Sequence, residues 1–211
     1  MPSEQTRYFS THRVEGYTDA VFAIAVTLLV LDLTTSAIGE VSSDEAMWAA
    51  LAGMWESFLA FFVSFLLLSL LWVIHLRQWR DIRQVDWMLL WLNNARLLFI
   101  VLIPFTTSLV ADYSQFYAGR ILLPVNFFFA ALLGYLSYVW AASRNGHLIG
   151  PETRAEARSQ NLGGLSAVIS GAIAVLVSPW LGSWAFLAYA LNGPIEALLS
   201  RLSRSRRADE P

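Results

Sequence analysis

The chain has 211 residues, of which 56% are hydrophobic and only 14% are charged, and its formal net charge is −2. Soluble domains carry about 25% charged residues, so this composition argues against a soluble protein and indicates an integral membrane protein. The absence of cysteine excludes disulfides, thiolate nucleophiles and cysteine-based metal sites.

Six apolar stretches follow one another along the chain, and each is long enough to cross a bilayer, which takes about 20 residues. They cover residues 16–34, 47–75, 87–110, 120–142, 161–179 and 182–200. The second stretch is longer than a crossing needs, so we expect an interfacial start before a core at 57–74. Only a tight turn separates the last two, which predicts an antiparallel hairpin. The sequence therefore predicts one all-α domain, residues 1–211, with six transmembrane helices. A soluble helical bundle is the alternative, but four of the stretches are apolar on every face.

All fourteen cationic residues are arginine, and twelve of them fall on one side of the predicted membrane. These twelve precede the first stretch, occupy two connections and fill the C-terminal tail: Arg7, Arg13, Arg77, Arg80, Arg83, Arg144, Arg154, Arg158, Arg201, Arg204, Arg206 and Arg207. Cytoplasmic loops carry an excess of arginine, so both termini are predicted to be cytoplasmic in a multi-pass protein of the plasma membrane. Arg120 lies alone on the other side, and Arg96 lies inside the third stretch.

The first stretch carries a narrow apolar stripe. Ile24, Leu28 and Leu31 share one helix face because they are spaced i, i+4 and i+7, and Thr27 lies beside that face. Such a stripe is consistent with packing against neighbouring helices or with a functional surface.

Charged residues open the same stretch, and this favours a functional surface. Arg13 and Asp19 are too far apart in sequence to pair along one helix turn, so each is expected to bond to another helix. His75, Asn93 and Asn94, together with Arg96, lie at a similar predicted depth. Each of them also has a plain structural interpretation, because an interfacial histidine needs no partner and asparagine commonly bonds helices together.

The pattern Arg13-x-x-x-Tyr17-Thr18-Asp19, followed by AVFAIAVTLLVLDL, resembles the RxxxFSD signature and first helix of the TMEM175 family of potassium channels. Tyrosine replaces phenylalanine and threonine replaces serine in this chain. Further residues fit the same pattern: Trp72, His75, Asp86, Asn93, Asn94, Pro104, Phe105 and Thr106.

This resemblance implies a potassium-permeable channel whose first helix lines the pore and which has no TVGYG-type filter. The main apolar gate matches Ile24, the next two constricting positions match Leu28 and Leu31, and the threonine implicated in cation preference matches Thr27. The resemblance also implies a supporting network that holds the first helix in register: Arg13, Tyr17, Thr18, Asp19, His75 and Asn93 or Asn94. Asp19 either faces the lumen, where it would concentrate cations, or pairs with Arg13 or His75 as part of this scaffold, which we favour.

One copy of the first helix cannot enclose a pore, and the chain has no second copy of the signature, so several chains must assemble. The resemblance implies a homotetramer in the bilayer, with potassium as the permeant species, no cofactor, no other metal and no nucleic-acid partner. In the fifth stretch Gly163, Ala167 and Gly171 predict a close helix contact, either within or between subunits. In the sixth, Pro194 predicts a kink.

Other function classes fit the sequence less well. A secondary transporter predicts internal repeats and interrupted helices, which we do not find, and a non-conducting membrane scaffold stays open. An intramembrane enzyme would need a catalytic cluster, but His12, His75 and His147 are scattered, so we predict no enzymatic activity.

Overall fold

The computed structural model describes residues 8–35, 38–146 and 148–208, so Arg7 and His147 lie outside the described residues. Within those ranges the fold is all-α. The α-helices are α1 (Thr11–Leu28), α2 (Asp44–Gly53), α3 (Trp55–Trp79), α4 (Trp87–Asp112), α5 (Tyr117–Gly146), α6 (Arg154–Leu181) and α7 (Asn192–Ala208). Shorter 3₁₀ segments cover Leu29–Asp32, Pro151–Thr153 and Gly182–Leu191.

Five helical segments in the described residues are long and apolar enough to cross a membrane, which supports a multi-pass membrane protein. They are Thr11–Leu31, Trp55–Trp79, Trp87–Asp112, Tyr117–Ser143 and Asn161–Leu181. They correspond to the first five predicted stretches, and the sixth crossing stays a prediction.

The predicted helix over residues 182–200 is not continuous in the structure. The chain reverses at Gly182, whose φ of 54° suits glycine, and then runs as a ten-residue 3₁₀ segment before α7 begins at Asn192. At about 2.0 Å per residue the segment spans about 20 Å, which carries it back along roughly 14 residues of α6. Asn192 accordingly meets Ser166, whose hydroxyl donates a hydrogen bond to the Asn192 side chain. The predicted hairpin is therefore present with a different second arm, and Pro194 lies in the first turn of α7, where its missing N–H costs nothing.

The predicted stretch over residues 47–75 is also divided. Helix α2 begins after Ser43, whose hydroxyl accepts a hydrogen bond from the Ala46 amide at 3.1 Å, and it ends before Met54. No residue of α2 is buried, whereas α3 has a buried face. The separate surface helix agrees with the expected interfacial start.

The segment before α1, the connection from α3 to α4 and the connection from α5 to α6 meet at one end of the bundle. Phe9, just before α1, donates its amide to the Val85 carbonyl at 2.8 Å, and the Arg83 amide donates to the Leu148 carbonyl at 2.8 Å. The Arg83 side chain also forms an ion pair with Glu152. The segments before α1, between α3 and α4, and between α5 and α6 therefore share one end, as the arginine distribution predicts.

Small residues on α6 contact α5 of the same chain. A Cβ atom added to Gly171 would lie 3.5 Å from Phe128 Cα, and one added to Gly164 would lie 3.0 Å from the Tyr135 ring. Ala167, between them, is buried. The close contact predicted for this helix thus lies within the subunit.

Candidate functional site

Helix α1 has two opposite faces with different surroundings. One face is buried against α3 and α4 and carries Val14, Thr18, Phe22, Ala25 and, in the 3₁₀ continuation, Leu29. The other face carries the predicted stripe, in which Ile24, Leu28 and Leu31 are 58%, 41% and 64% exposed. The stripe therefore does not pack within the subunit, which leaves it free to face a pore or another chain.

Thr27 lies on the exposed face beside this stripe. Its hydroxyl donates a hydrogen bond of 2.8 Å to the Ile24 carbonyl. Because the hydroxyl hydrogen is used along the helix, the oxygen keeps lone pairs that can accept from water or face a cation.

Thr18 and Asn93 join α1 to α4 at a buried position. The Asn93 side-chain amide donates to the Thr18 hydroxyl at 2.8 Å, and both residues are at most 1% exposed. A polar group buried without a partner is costly, so this bond fixes the rotation of α1 relative to α4.

Asp19 bonds to α3. The Trp72 indole N–H donates to the Asp19 carboxylate at 3.0 Å, and Asp19 is half-buried. Asp19 was expected either to face the lumen or to pair with Arg13 or His75, and its partner in the structure is the Trp72 indole.

His75 takes part in a separate cluster that the expected network did not include. Arg96 approaches His75 Nδ1 at 3.1 Å and donates a second bond to the Leu71 carbonyl at 3.0 Å. Because arginine has only donors, Nδ1 must accept, which places the proton of a neutral His75 on Nε2. Phe22 of α1 stacks on His75 at 5.8 Å and lies 5.5 Å from the Arg96 guanidinium carbon. His75 therefore reaches α1 through an aromatic contact, rather than through Arg13 or Asp19.

Arg13, Tyr17 and Asn94 are not joined to these bonds in the described part of the chain. They line an open groove of about 940 Å³ between α1 and α4, next to the exposed stripe. Arg13 and Tyr17 are exposed, and Asn94 is half-buried. The structure thus divides the predicted supporting residues between a buried side of α1 and an open flank.

Two further polar contacts were missed by the sequence reasoning. The hydroxyls of Ser64 and Thr107 bond at 2.7 Å between α3 and α4, and the Asn126 amide of α5 donates to the Phe99 carbonyl at 3.0 Å. Isolated serine, threonine and asparagine residues occur in most membrane helices, so no spacing pattern marks these. Both contacts connect α4 to its neighbours and support the helices that hold α1.

Comparisons with known proteins converge on this part of the chain. The family model described as "Endosomal/lysosomal potassium channel TMEM175" matches residues 13–104, which cover nearly all of α1, the whole of α2 and α3, and the first two-thirds of α4. A potassium channel of Streptomyces collinus is 33% identical over 148 residues, covering 69% of this chain and 70% of the relative. A potassium channel of Chamaesiphon minutus is 34% identical over 103 residues, covering 49% and 50%. Among solved structures, a lysosomal potassium-selective channel TMEM175 homolog from Chamaesiphon minutus aligns with a TM-score of 0.66 and 26% identity, over 90% of this chain and 97% of that one.

Proposed function

The chain belongs to the TMEM175 family, which is a family of ion channels and not of enzymes, and from this membership we propose that it is a potassium-permeable cation channel. Two bacterial relatives bear the name potassium channel, and a solved homolog is described as potassium-selective. In this proposal potassium is the permeant species, and the protein uses no cofactor.

The observation that carries the proposal is the exposed apolar face of α1. Ile24, Leu28 and Leu31 lie on a helix whose opposite face is fully packed, so their exposure is a property of one face and not of loose packing. Membrane-spanning helices normally bury such residues or expose them to lipid, but here the neighbouring Thr27 adds a hydroxyl to the same surface. An apolar face with one oxygen beside it suits a narrow cation pathway.

We infer that four copies of the chain assemble around an axis with one α1 from each. Closed cyclic symmetry is the usual arrangement of identical subunits, and a single α1 cannot surround a pore. Rings of Ile24, Leu28 and Leu31 would then form the constriction, which conducts only when it is wide enough to hold water. The sequence contains no TVGYG segment, so selectivity would depend on this constriction and on the Thr27 oxygens.

The same proposal assigns the supporting residues. Thr18 and Asp19 hold α1 in register through Asn93 and Trp72, and His75 supports it through the ring of Phe22. Arg13, Tyr17 and Asn94 would lie at the mouth of the pathway, on the flank of α1 that the groove leaves open.

We further propose that the arginine-rich end of the bundle is cytoplasmic and that the channel resides in the plasma membrane. The last turn of α3 supplies Arg77 to this end, the connection from α3 to α4 supplies Arg80 and Arg83, and the first turn of α1 supplies Arg13. An excess of arginine in short loops marks the cytoplasmic side.

Potassium flux into liposomes tests the proposal. Wild-type protein should pass potassium, Ile24→Asn should raise the flux by hydrating the constriction, and Leu31→Ala should widen it. Leu176→Ala is a matched control, because Leu176 on α6 is 69% exposed against 64% for Leu31 but lies on another helix. Equal flux from Leu31→Ala, Leu176→Ala and wild type would refute the assignment of α1. Silent but folded oligomers of every variant would favour a transporter or a non-conducting scaffold.

A further inference from the structure

A second cavity lies away from α1, between α3, α6 and α7. Its volume is about 250 Å³, and its polar lining consists of Arg77 and Gln78 from the last turns of α3 with Asn192 and Glu196 from the first turns of α7. Two glycines of α6, Gly163 and Gly164, form one wall of the cavity. A Cβ atom on Gly163 would lie 3.6 Å from the Glu196 carboxylate, an ordinary contact distance, so this charge lies against α6.

Three of the four polar groups in this cavity, Arg77, Gln78 and Glu196, have no hydrogen-bond or ion-pair partner within the described residues, while Asn192 accepts a hydrogen bond from Ser166. Arg77 and Glu196 line the same space, yet neither has an ion-pair partner within 4.0 Å in the ranges that the structure covers. Gln78 is only 3% exposed, and its side-chain amide makes no hydrogen bond with any described residue. The Gln78 amide opens onto the cavity and Arg77 is exposed at its rim, so these groups are available to bond to a ligand there.

The charges restrict what that ligand can be. A simple anion at Arg77 would leave the Glu196 carboxylate unpaired, and a simple cation at Glu196 would leave Arg77 unpaired. A molecule that carries a negative group and an ammonium satisfies both, while the amides of Gln78 and Asn192 donate and accept further hydrogen bonds.

The position of the cavity adds an apolar requirement. Arg77 and Gln78 end the membrane-spanning α3, at the depth where lipid headgroups lie. Ile74 lines the same cavity about one turn closer to the middle of the membrane, and Leu70 about two turns closer. The ligand therefore has a charged head at the arginine-rich end and an apolar part that extends along α3.

From these observations we propose that the cavity binds the headgroup of a phospholipid with a primary ammonium, of the phosphatidylethanolamine type. Arg77 would hold the phosphate, Glu196 would accept the ammonium hydrogens, and Gln78 would bond to the head between them. The headgroup is small, with about eight non-hydrogen atoms in phosphoethanolamine, and the cavity of about 250 Å³ has room for several water-sized groups. The bound lipid would connect α7 to α3 across the gap that separates them.

Native mass spectrometry of the intact oligomer from nanodiscs tests this proposal. We expect the wild type to retain phosphatidylethanolamine about tenfold more than phosphatidylcholine, because the quaternary ammonium of choline cannot donate hydrogen bonds to Glu196. Glu196→Gln should abolish this preference, and Arg77→Gln should lower retention of both lipids. Glu45→Gln and Arg80→Gln are matched controls at exposed positions outside the cavity and should retain the wild-type preference.

The comparison of lipids on the wild type requires no variant to fold. Equal retention of phosphatidylethanolamine and phosphatidylcholine would overturn the proposal, and so would a preference for phosphatidylglycerol, which carries no ammonium. Free phosphoethanolamine, added in solution, distinguishes a soluble ligand from a lipid headgroup. If it raises the melting temperature while neither lipid is retained selectively, the ligand is a soluble metabolite and the lipid assignment fails. If phosphatidylethanolamine is retained and free phosphoethanolamine competes with it, the headgroup assignment is supported.

Discussion

The hydrogen bond between Asn93 and Thr18 should contribute measurable coupling energy, because it joins α1 to α4 where neither side chain reaches solvent. The donor and acceptor lie 2.8 Å apart, and the residues are 1% and 0% exposed. A buried group left without its partner costs about 1–3 kcal/mol. Interhelical bonds in membrane proteins have measured couplings averaging about 0.6 kcal/mol with a maximum of about 1.7. Complete burial places this bond in the upper part of that range, at about 1–1.5 kcal/mol.

A double-mutant cycle with Thr18→Val and Asn93→Leu measures this coupling. Each single substitution should lower the free energy of unfolding in mixed micelles by about 1–2 kcal/mol, and the double variant should lose little more than one single variant. The exposed bond between Ser114 and Glu56, at 3.3 Å, provides a control cycle with Ser114→Ala and Glu56→Gln, whose coupling should be close to zero. If the losses from Thr18→Val and Asn93→Leu add within about 0.5 kcal/mol, the bond does not hold α1 in register.

Three further predictions concern other parts of the bundle. Gly119→Ala should destabilise the protein by about 3 kcal/mol or more in thermal or denaturant unfolding, because the new Cβ would lie 2.0 Å from a backbone oxygen of the preceding loop. Gly53→Ala should not destabilise the protein, because nothing lies within 4 Å of the added Cβ. Equal losses of stability from the two substitutions would contradict the packing argument. Arg96→Lys should lower the melting temperature more than Arg96→Met. A lysine ammonium keeps the cost of a buried charge but loses the simultaneous contacts of the guanidinium with His75 and the Leu71 carbonyl, and the reverse order of melting temperatures would refute this reasoning. Hydrogen bonds from its own backbone and from Arg83 lower the pKa of Glu152 below its ordinary 4.5. The ionised carboxylate therefore stabilises the folded protein above pH 4.5, and this stabilisation is lost as the pH falls through the lowered pKa. The melting temperatures of wild type and Glu152→Gln should converge in acid, and a constant difference across the pH range would count against the pair.

Hydropathy predicted the five long helices because membrane crossing demands apolar length, but it placed their ends poorly. The fifth stretch was predicted to begin at residue 161, whereas α6 begins at Arg154. The extra two turns have the sequence RAEARSQ, which consists mainly of strong helix formers, several of them polar. Helix propensity and not hydropathy decides the structure there, and a hydropathy scan cannot detect it.

The division of residues 182–200 could not be predicted from composition, since a 3₁₀ segment and an α-helix can be equally apolar. What decides the geometry is the tight reversal at Gly182 and the contact of Asn192 with Ser166, both of which depend on how α6 is placed. These two tertiary contacts set the distance that residues 182–191 must span, and the segment adopts the longer rise per residue of a 3₁₀ helix. The sequence therefore indicates the presence of a returning arm but not its helix type.

Side-chain partners on α1 were predictable by type and depth but not by identity. Polar residues of the second and third stretches were expected to meet Asp19 and Thr18, and Trp72 and Asn93 do so. His75 was expected in the same group; its hydrogen-bond partner is Arg96, and it contacts α1 through the ring of Phe22. Neighbouring positions on a helix are rotated by about 100°, so a small rotation of α3 or α4 changes which side chain meets α1. The sequence alone does not determine that rotation.

The two faces of α1 divide stability from function within one helix. On the packed face Phe22 and Leu29 are almost completely buried, and Thr18 bonds to α4, so changes there alter the free energy of unfolding. On the open face Ile24 and Leu31 have no packing to lose within the subunit. A pore that opens by moving these side chains needs such an arrangement, because a constriction packed as tightly as the core could not widen without unfolding the helix that carries it. In the proposed channel, the hydrogen bonds of Thr18 and Asp19 near the start of α1 would anchor the helix, while the exposed apolar stripe beyond them would respond to water, ions and neighbouring subunits.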